Sequence, residues 1–313
     1  MMNTESSVAR WSSRKFRTAA YGAALIAGMM NPLQAQAAEG GLSHFPYGAQ
    51  TTYAAFMPPP GETTFYGYTL YYDVNFVADD NGKRVPGLDI EAAAIAPRFV
   101  HSWKTPFAGF KVSSGFVLQG LYVKVNTPGA QDEGAGPSLV GIEPLILSRS
   151  FGNLHILTQA VGYFALGSYD DTDLANYTLN YDSVAYQFST TWTPTPDWDI
   201  SLNAASEFKG RNKDTDYRGG AQGGLTFGIG HKPFADKRWD LGISGFYTGQ
   251  FSDDKIRGRK IPGGGRTRKL AIGPKLVYAF APGTAIVVQY HRETAARFAP
   301  QGDLFWIECA IPF

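Results

Sequence analysis

From residue 64 to the C-terminus, apolar and polar positions alternate with a period of two, the spacing of a strand with two unlike faces. The stretch 239–252 shows it clearly. Leu241, Ile243, Tyr247 and Phe251 fall on one face, and Asp240, Ser244, Thr248 and Gln250 on the other. In 198–209, Ile200, Leu202, Ala204 and Phe208 stand opposite Asp199, Ser201, Asn203, Glu207 and Lys209. The first segment sets Tyr66, Tyr68, Leu70, Tyr72, Val74 and Phe76 on one side, against Thr69, Asp73 and Asn75. About twelve such segments follow one another, near 64–77, 88–103, 110–125, 137–150, 154–168, 177–193, 198–210, 217–230, 239–252, 266–280, 285–297 and 303–313. Each is long enough to supply the ~9–11 residues a tilted strand needs to cross a bilayer, and soluble strands average only ~5–6.

The connections fall into two alternating sets. One is polar and often long: 78–87, 126–136, 170–176, 211–216, 253–265 and 299–302. The other is mostly tight: 104–109, 151–153, 194–197, 231–238 and 281–284. Long loops at one end and short turns at the other are the pattern of barrels in bacterial outer membranes. The predicted fold is therefore all-β: a closed antiparallel transmembrane β-barrel of about twelve strands. Lipid cannot pair a backbone N–H or C=O, so the sheet must join its own edges.

The N-terminus adds an export signal. Arg10, Arg14, Lys15 and Arg17 precede an Ala-rich apolar run at 18–30, Pro32 breaks it, and Ala35-Gln36-Ala37 supplies small residues at a cleavage site. The run is too short to span a membrane and reads as a secretory signal peptide. The expected division is a signal peptide at 1–37, an N-terminal leader or lumen plug at 38–63, and the barrel at 64–313. Export through the Sec pathway to a Gram-negative outer membrane follows. Cleavage takes the net charge from +1 to −2 by removing four basic residues and one acidic one, and neither value suggests nucleic acid as a partner.

By alternation, eight charged residues point into the barrel and are candidate lumen-lining groups: Asp73, Asp89, Glu91, Glu207, Lys209, Lys275, Glu293 and Glu308. The leader has no strand alternation but carries His44, Phe45 and Tyr47, so it is either a periplasmic tail or a plug folded into the lumen. Loop 253–269 holds seven basic residues against Asp253 and Asp254. Lipopolysaccharide phosphates fit such a loop, and so does plain solvent. The last segment alternates Phe305, Ile307, Cys309, Ile311 and Phe313 with other residues. Phe305, Ile307 and the terminal Phe313 form an expected signal for the barrel-assembly machinery.

No catalytic, metal or cofactor constellation emerges. The five histidines, His44, His101, His155, His231 and His291, make no ligand pair at helical spacing, and Cys309 stands alone. A Gly-x-Ser-x-Gly elbow is absent. Gly219–Gly224 is glycine-rich but lies in a strand pattern rather than a phosphate loop. His101 and Ser102 are sequence neighbours and so point to opposite faces.

The segments EGGLSHFPYGAQT (39–51), PPPGETTFYGYTLYY (58–72), AIAPRFVHSW (94–103) and GIEPLIL (141–147), with the closing strand, carry a family likeness. In them the chain resembles the outer-membrane family named for the meta pathway of phenol degradation, the SphA-like family. The resemblance implies a barrel that carries hydrophobic or aromatic solutes across the outer membrane and brings no catalytic residues. The expected role is passive uptake of small, aromatic or hydrophobic solutes. The alternatives are a barrel enzyme acting on outer-membrane lipids and a structural barrel without transport.

Overall fold

The computed structural model describes residues 42–313; the expected signal peptide lies outside the described residues. Twelve long antiparallel strands follow in sequence order: β1 (Thr63–Ala78), β2 (Asp89–Ser102), β3 (Lys111–Thr127), β4 (Ala130–Phe151), β5 (Leu154–Ala165), β6 (Ser183–Trp192), β7 (Trp198–Lys209), β8 (Gln222–His231), β9 (Trp239–Gln250), β10 (Arg268–Ala281), β11 (Thr284–Arg297) and β12 (Ala299–Pro312). Each pairs with its neighbours, and β12 returns to β1, with Tyr66 opposite Ala310 and Tyr72 opposite Leu304. The sheet has no free edge, so every ladder is closed within the protein.

Tight turns mark one end. Phe151 pairs with Leu154 around Gly152-Asn153, and Gly152 has φ +58, the positive φ that a hairpin turn of this kind demands. Three connections depart from the expected boundaries. The stretch 126–136 is not a loop: β3 and β4 run on to a turn at Pro128-Gly129, with Thr127 paired to Ala130. There the ladder carries Gln131, Asp132 and Glu133 rather than apolar residues. Here one face is wet and the other is covered by a polar loop, so no lipid-facing alternation reveals the strands. Residues 177–182, expected as strand, instead belong to the loop that leans on this hairpin. Leu174 N and Ala175 N each donate to Asp132 at 3.0 Å, and a Cβ on Gly136 would lie 2.6 Å from Tyr177. The expected loop 299–302 is likewise the start of β12, reached by a tight turn at Phe298.

The belt of exposed large apolar residues encircles the wall, with Leu118, Phe188, Leu202, Leu225, Ile243 and Ile272 among them. Trp103, Trp192, Trp198 and Trp239 gather near the tight-turn end, and Tyr71, Tyr186, Tyr247 and Phe251 near the loop end. An apolar band flanked by two aromatic girdles is the outer surface of a barrel in the outer membrane. Over the loop end, Tyr217-Arg218, Lys255-Ile256 and Arg259-Lys260 form a small three-stranded cap.

Candidate functional site

The barrel interior is filled by the chain's own N-terminal segment. Residues 42–62 enter near the loop end and descend to β1 at the tight-turn end. His44, Phe45, Tyr47, Ala49 and Thr51 are buried against the wall. The upper anchor is Glu207 of β7. It accepts from Ser43 Oγ, from His44 N at 3.3 Å and from Ser183 Oγ at 2.7 Å. Lys209 Nζ donates to the Leu42 carbonyl and, at 2.9 Å, to Gln222. The His44 imidazole lies 2.8 Å from Ser183 Oγ. Burial pushes its pKa down, more strongly than the neighbouring Glu207 raises it. Lower down, Gly48 N donates to Thr226 at 3.0 Å, Gln187 to Gln50 at 2.9 Å, and Thr51 Oγ1 to Gln289 at 2.5 Å.

Strand β8 explains why the segment fits there. Its inward positions are Gln222, Gly224, Thr226, Gly228 and Gly230. A Cβ on Gly224 would lie 2.5 Å from the Tyr47 ring, and one on Gly228 would overlap the Thr51 backbone. The missing side chains make a track for the segment. The glycine-rich stretch 219–224 contributes Gly224 to this track, while Gly219 borders Lys209 and Gly220 the Ser252 carbonyl. The signal was legible as glycine at alternate positions, 224, 228 and 230, in an otherwise regular strand.

The candidate lumen residues divide. Glu207, Lys209, Lys275, Glu293 and Glu308 face the interior and are buried. Lys275 lies 3.4 Å from Asp199. Glu293 pairs with Lys269 at 3.0 Å and accepts from Tyr72 at 2.8 Å. Glu308 accepts from Gln289 at 2.8 Å. Asp73, Asp89 and Glu91 do not face the lumen, a correction to the alternation reading. Asp73 pairs with Glu91 and with Asp303. Its strand neighbours Tyr72 and Val74 are the ones turned inward, while Tyr71 is 46% exposed. Paired residues share a face, so this acidic trio stands on the outer surface near the loop end, with Lys124 3.9 Å from Glu91. The inward face of β1 is instead apolar, Tyr68, Leu70 and Tyr72 packing on the core around Phe45 and Tyr47.

Several interior groups gave no sequence signal. Arg98 and Glu143 form a buried ion pair at 2.9 Å, and Arg98 also sits 5.3 Å from the Tyr66 ring centre. His291 meets Ser244 Oγ at 2.8 Å. Ser102 bonds Ser113 rather than His101. Only the three-dimensional pairing of strands brings these partners together. Phe305, Ile307 and Phe313 are exposed on the outer face, and Phe313 N donates to Thr63 O at 3.0 Å.

Below the anchors, a cavity of about 670 Å³ opens toward the tight-turn end. Tyr53, Phe56 and Met57 of the N-terminal segment form one wall; Tyr66, Tyr68, Leu157 and Val277 belong to the barrel side. Polar groups are interspersed with them, Arg98, Gln159, Gln187, Lys232, Asp240 and Glu308 among others.

The fold has solved relatives. An outer membrane channel from Pseudomonas putida F1 superposes with a TM-score of 0.71 at 15% identity, over 87% of this chain and all of that one. The β domain of the Bordetella autotransporter BrkA gives 0.55 at 13% identity, over 80% of this chain and all of that one. These likenesses show the transmembrane barrel fold. No curated protein matches the sequence. A family model, however, matches residues 75–308, most of the barrel. The chain belongs to the outer-membrane family named for the MetA-pathway of phenol degradation.

Proposed function

We propose that the protein is a passive outer-membrane channel for small amphipathic solutes, gated by its own N-terminal segment. The observation that carries this reading is the cavity beneath the segment. It has the size and lining of a small-molecule compartment, mostly apolar and aromatic with polar groups interspersed. A twelve-strand barrel is wider than the ~8-strand barrel that side chains alone fill, and here the surplus space holds residues 42–62. The solved Pseudomonas putida relative is itself an outer membrane channel, and the family's name points to aromatic compounds. On this reading the protein is exported through the Sec pathway with its signal peptide removed after Ala37. Phe313, with Phe305 and Ile307, is read by the assembly machinery, and the loop end faces the outside.

The barrel-enzyme alternative finds no support in the serine–histidine contacts. Ser150 meets His155 at 2.7 Å, but His155 faces inward and stacks on Phe56, 4.2 Å away. A lipid substrate would not reach it from the bilayer.

The test is a lock. In a Cys309→Ser background, Thr51→Cys with Gln289→Cys places one thiol on the segment and one on the wall across the hydrogen bond that now joins them, to be bridged by a short bis-methanethiosulfonate through reducible disulfides. Proteoliposome swelling in small solutes is expected to be slow when cross-linked and restored by reductant. Equal swelling in both states would contradict the gate.

A further inference from the structure

The outer rim of the barrel is electrically lopsided. On the β12–β1–β2 side, Asp73, Glu91 and Asp303 stand side by side on the outer face. On the β10–β11 side the sign reverses. Arg268 and Arg297 sit directly opposite each other as a cross-strand pair, both exposed. They share the outer face with Leu270, which is paired to Ala295 one step further along the ladder. At ~3.4 Å of rise per residue, the guanidinium-bearing positions lie about 7 Å above that lipid-facing leucine.

Like charges directly opposite each other destabilise a sheet. Among the described residues no ion pair reaches either arginine. The acids of the adjoining loop are engaged elsewhere: Asp253 with Lys260 and Arg266 at 2.8 and 2.6 Å, and Asp254 with Tyr217, Gly220 and Gln250. Next along the sheet, Arg268 faces Gly249. A Cβ there would lie 3.4 Å from Arg268 Cγ and 3.5 Å from Tyr247 Oη, so the arginine stem leans over the glycine beside an exposed phenol. Two guanidinium forks, a phenol and an open backbone at the upper edge of an apolar belt suit an anion whose own tail is in lipid. Arginine binds phosphate through two parallel N–H donors.

We infer that Arg268 and Arg297 form a phosphate site for a bisphosphorylated glycolipid of the outer leaflet, of the lipid A type. The acyl chains would lie along Leu270 and Ile272, and the acidic side of the rim would repel the same headgroup. This inference rests on the loop end facing outward, as proposed above.

The test uses the full mature barrel in phosphatidylcholine nanodiscs, with bound hexa-acylated lipid A counted by native mass spectrometry. Arg268→Gln with Arg297→Gln should weaken binding roughly tenfold or more, the worth of one or two lost charge-assisted bonds. Lys237→Gln with Arg238→Gln removes the same charge at the opposite end and should change binding less than twofold. Heat-modifiable migration of both variants checks that the barrel is folded. Equal loss in the two variants would overturn the site. So would full competition by millimolar inorganic phosphate, which would make it a free-anion site, or equal binding of phosphatidylglycerol. Orientation is read separately: Arg259→Cys in the Cys309→Ser background should react with an impermeant maleimide on intact cells. Labelling without selective lipid A binding would sink the site alone; absence of labelling would sink the orientation.

Discussion

Two sectors of the wall obey opposite rules. In β7 to β9 the apolar face meets lipid and the polar face meets the interior: Ile243 is exposed and Ser244 fully buried. In β1 and β2 the order inverts: Tyr68, Leu70 and Tyr72 turn inward, and Asp73, Asp89 and Glu91 turn out. The difference lies in what each sector faces. The β7–β9 interior bonds the backbone and polar groups of residues 42–51, so it carries Glu207, Lys209 and Thr226. The β1 interior packs on the apolar core cluster to which Phe45 and Tyr47 belong. An apolar face in a barrel therefore marks an apolar neighbour, and lipid is only one such neighbour.

The largest test of this comparison is charge on the outer face. Ile95 lies midway along β2, 62% exposed and paired with Thr69. Ile95→Arg should cost ~2–4 kcal/mol of folding stability in lipid vesicles, as should Ile243→Arg. If Ile95→Arg were neutral, β2 would have the lumen-facing register that alternation alone assigns to it.

Filling the glycine track comes next. Gly224→Leu collides with Tyr47 and should cost ~1–3 kcal/mol as overpacking. The N-terminal segment should yield first, so limited proteolysis should cleave within 42–62 while the barrel stays resistant. Unchanged protection would mean that β8 does not seat the segment.

A smaller effect is expected at Ser244, whose hydroxyl serves both Gln289 and His291 at 2.9 and 2.8 Å. Ser244→Ala should lower stability by about 1 kcal/mol, measured by denaturant titration. An effect below the error of that titration would show the buried network to be idle there.

The least disruptive probe is pH. The folded His44 has a lowered pKa, so the unlocked segment takes up a proton before the docked one does. Docking is fully favoured above the ordinary value of 6.5 and weakens as pH falls below it. Proteolytic sensitivity of 42–62 should rise over that window, and His44→Asn should flatten the response. A response that survives His44→Asn would assign it to other groups.

Much of the barrel was legible because lipid imposes one unambiguous rule on long strands. Strand number, the β9 facing and the inward Glu207, Lys209, Lys275, Glu293 and Glu308 all followed from period two. The β1–β2 facing did not, since both of its faces meet apolar surroundings for part of their length and the sequence does not say which is which. The hairpin at Pro128-Gly129 escaped because one of its faces stands in water and the other lies under a loop, with no lipid on either. The site was half visible: Phe45 and Tyr47 marked the segment, but its anchors on Ser183, Thr226 and Gln289 exist only once distant strands are side by side.

The central claim is that residues 42–62 close an otherwise open barrel. Single-channel recording in planar bilayers tests it most directly, comparing the mature chain with Gly224→Leu and with a chain shortened through residue 57. The account predicts small, rarely open conductance for the mature chain and large, persistent openings for both altered forms. Equally small conductance in all three would contradict it.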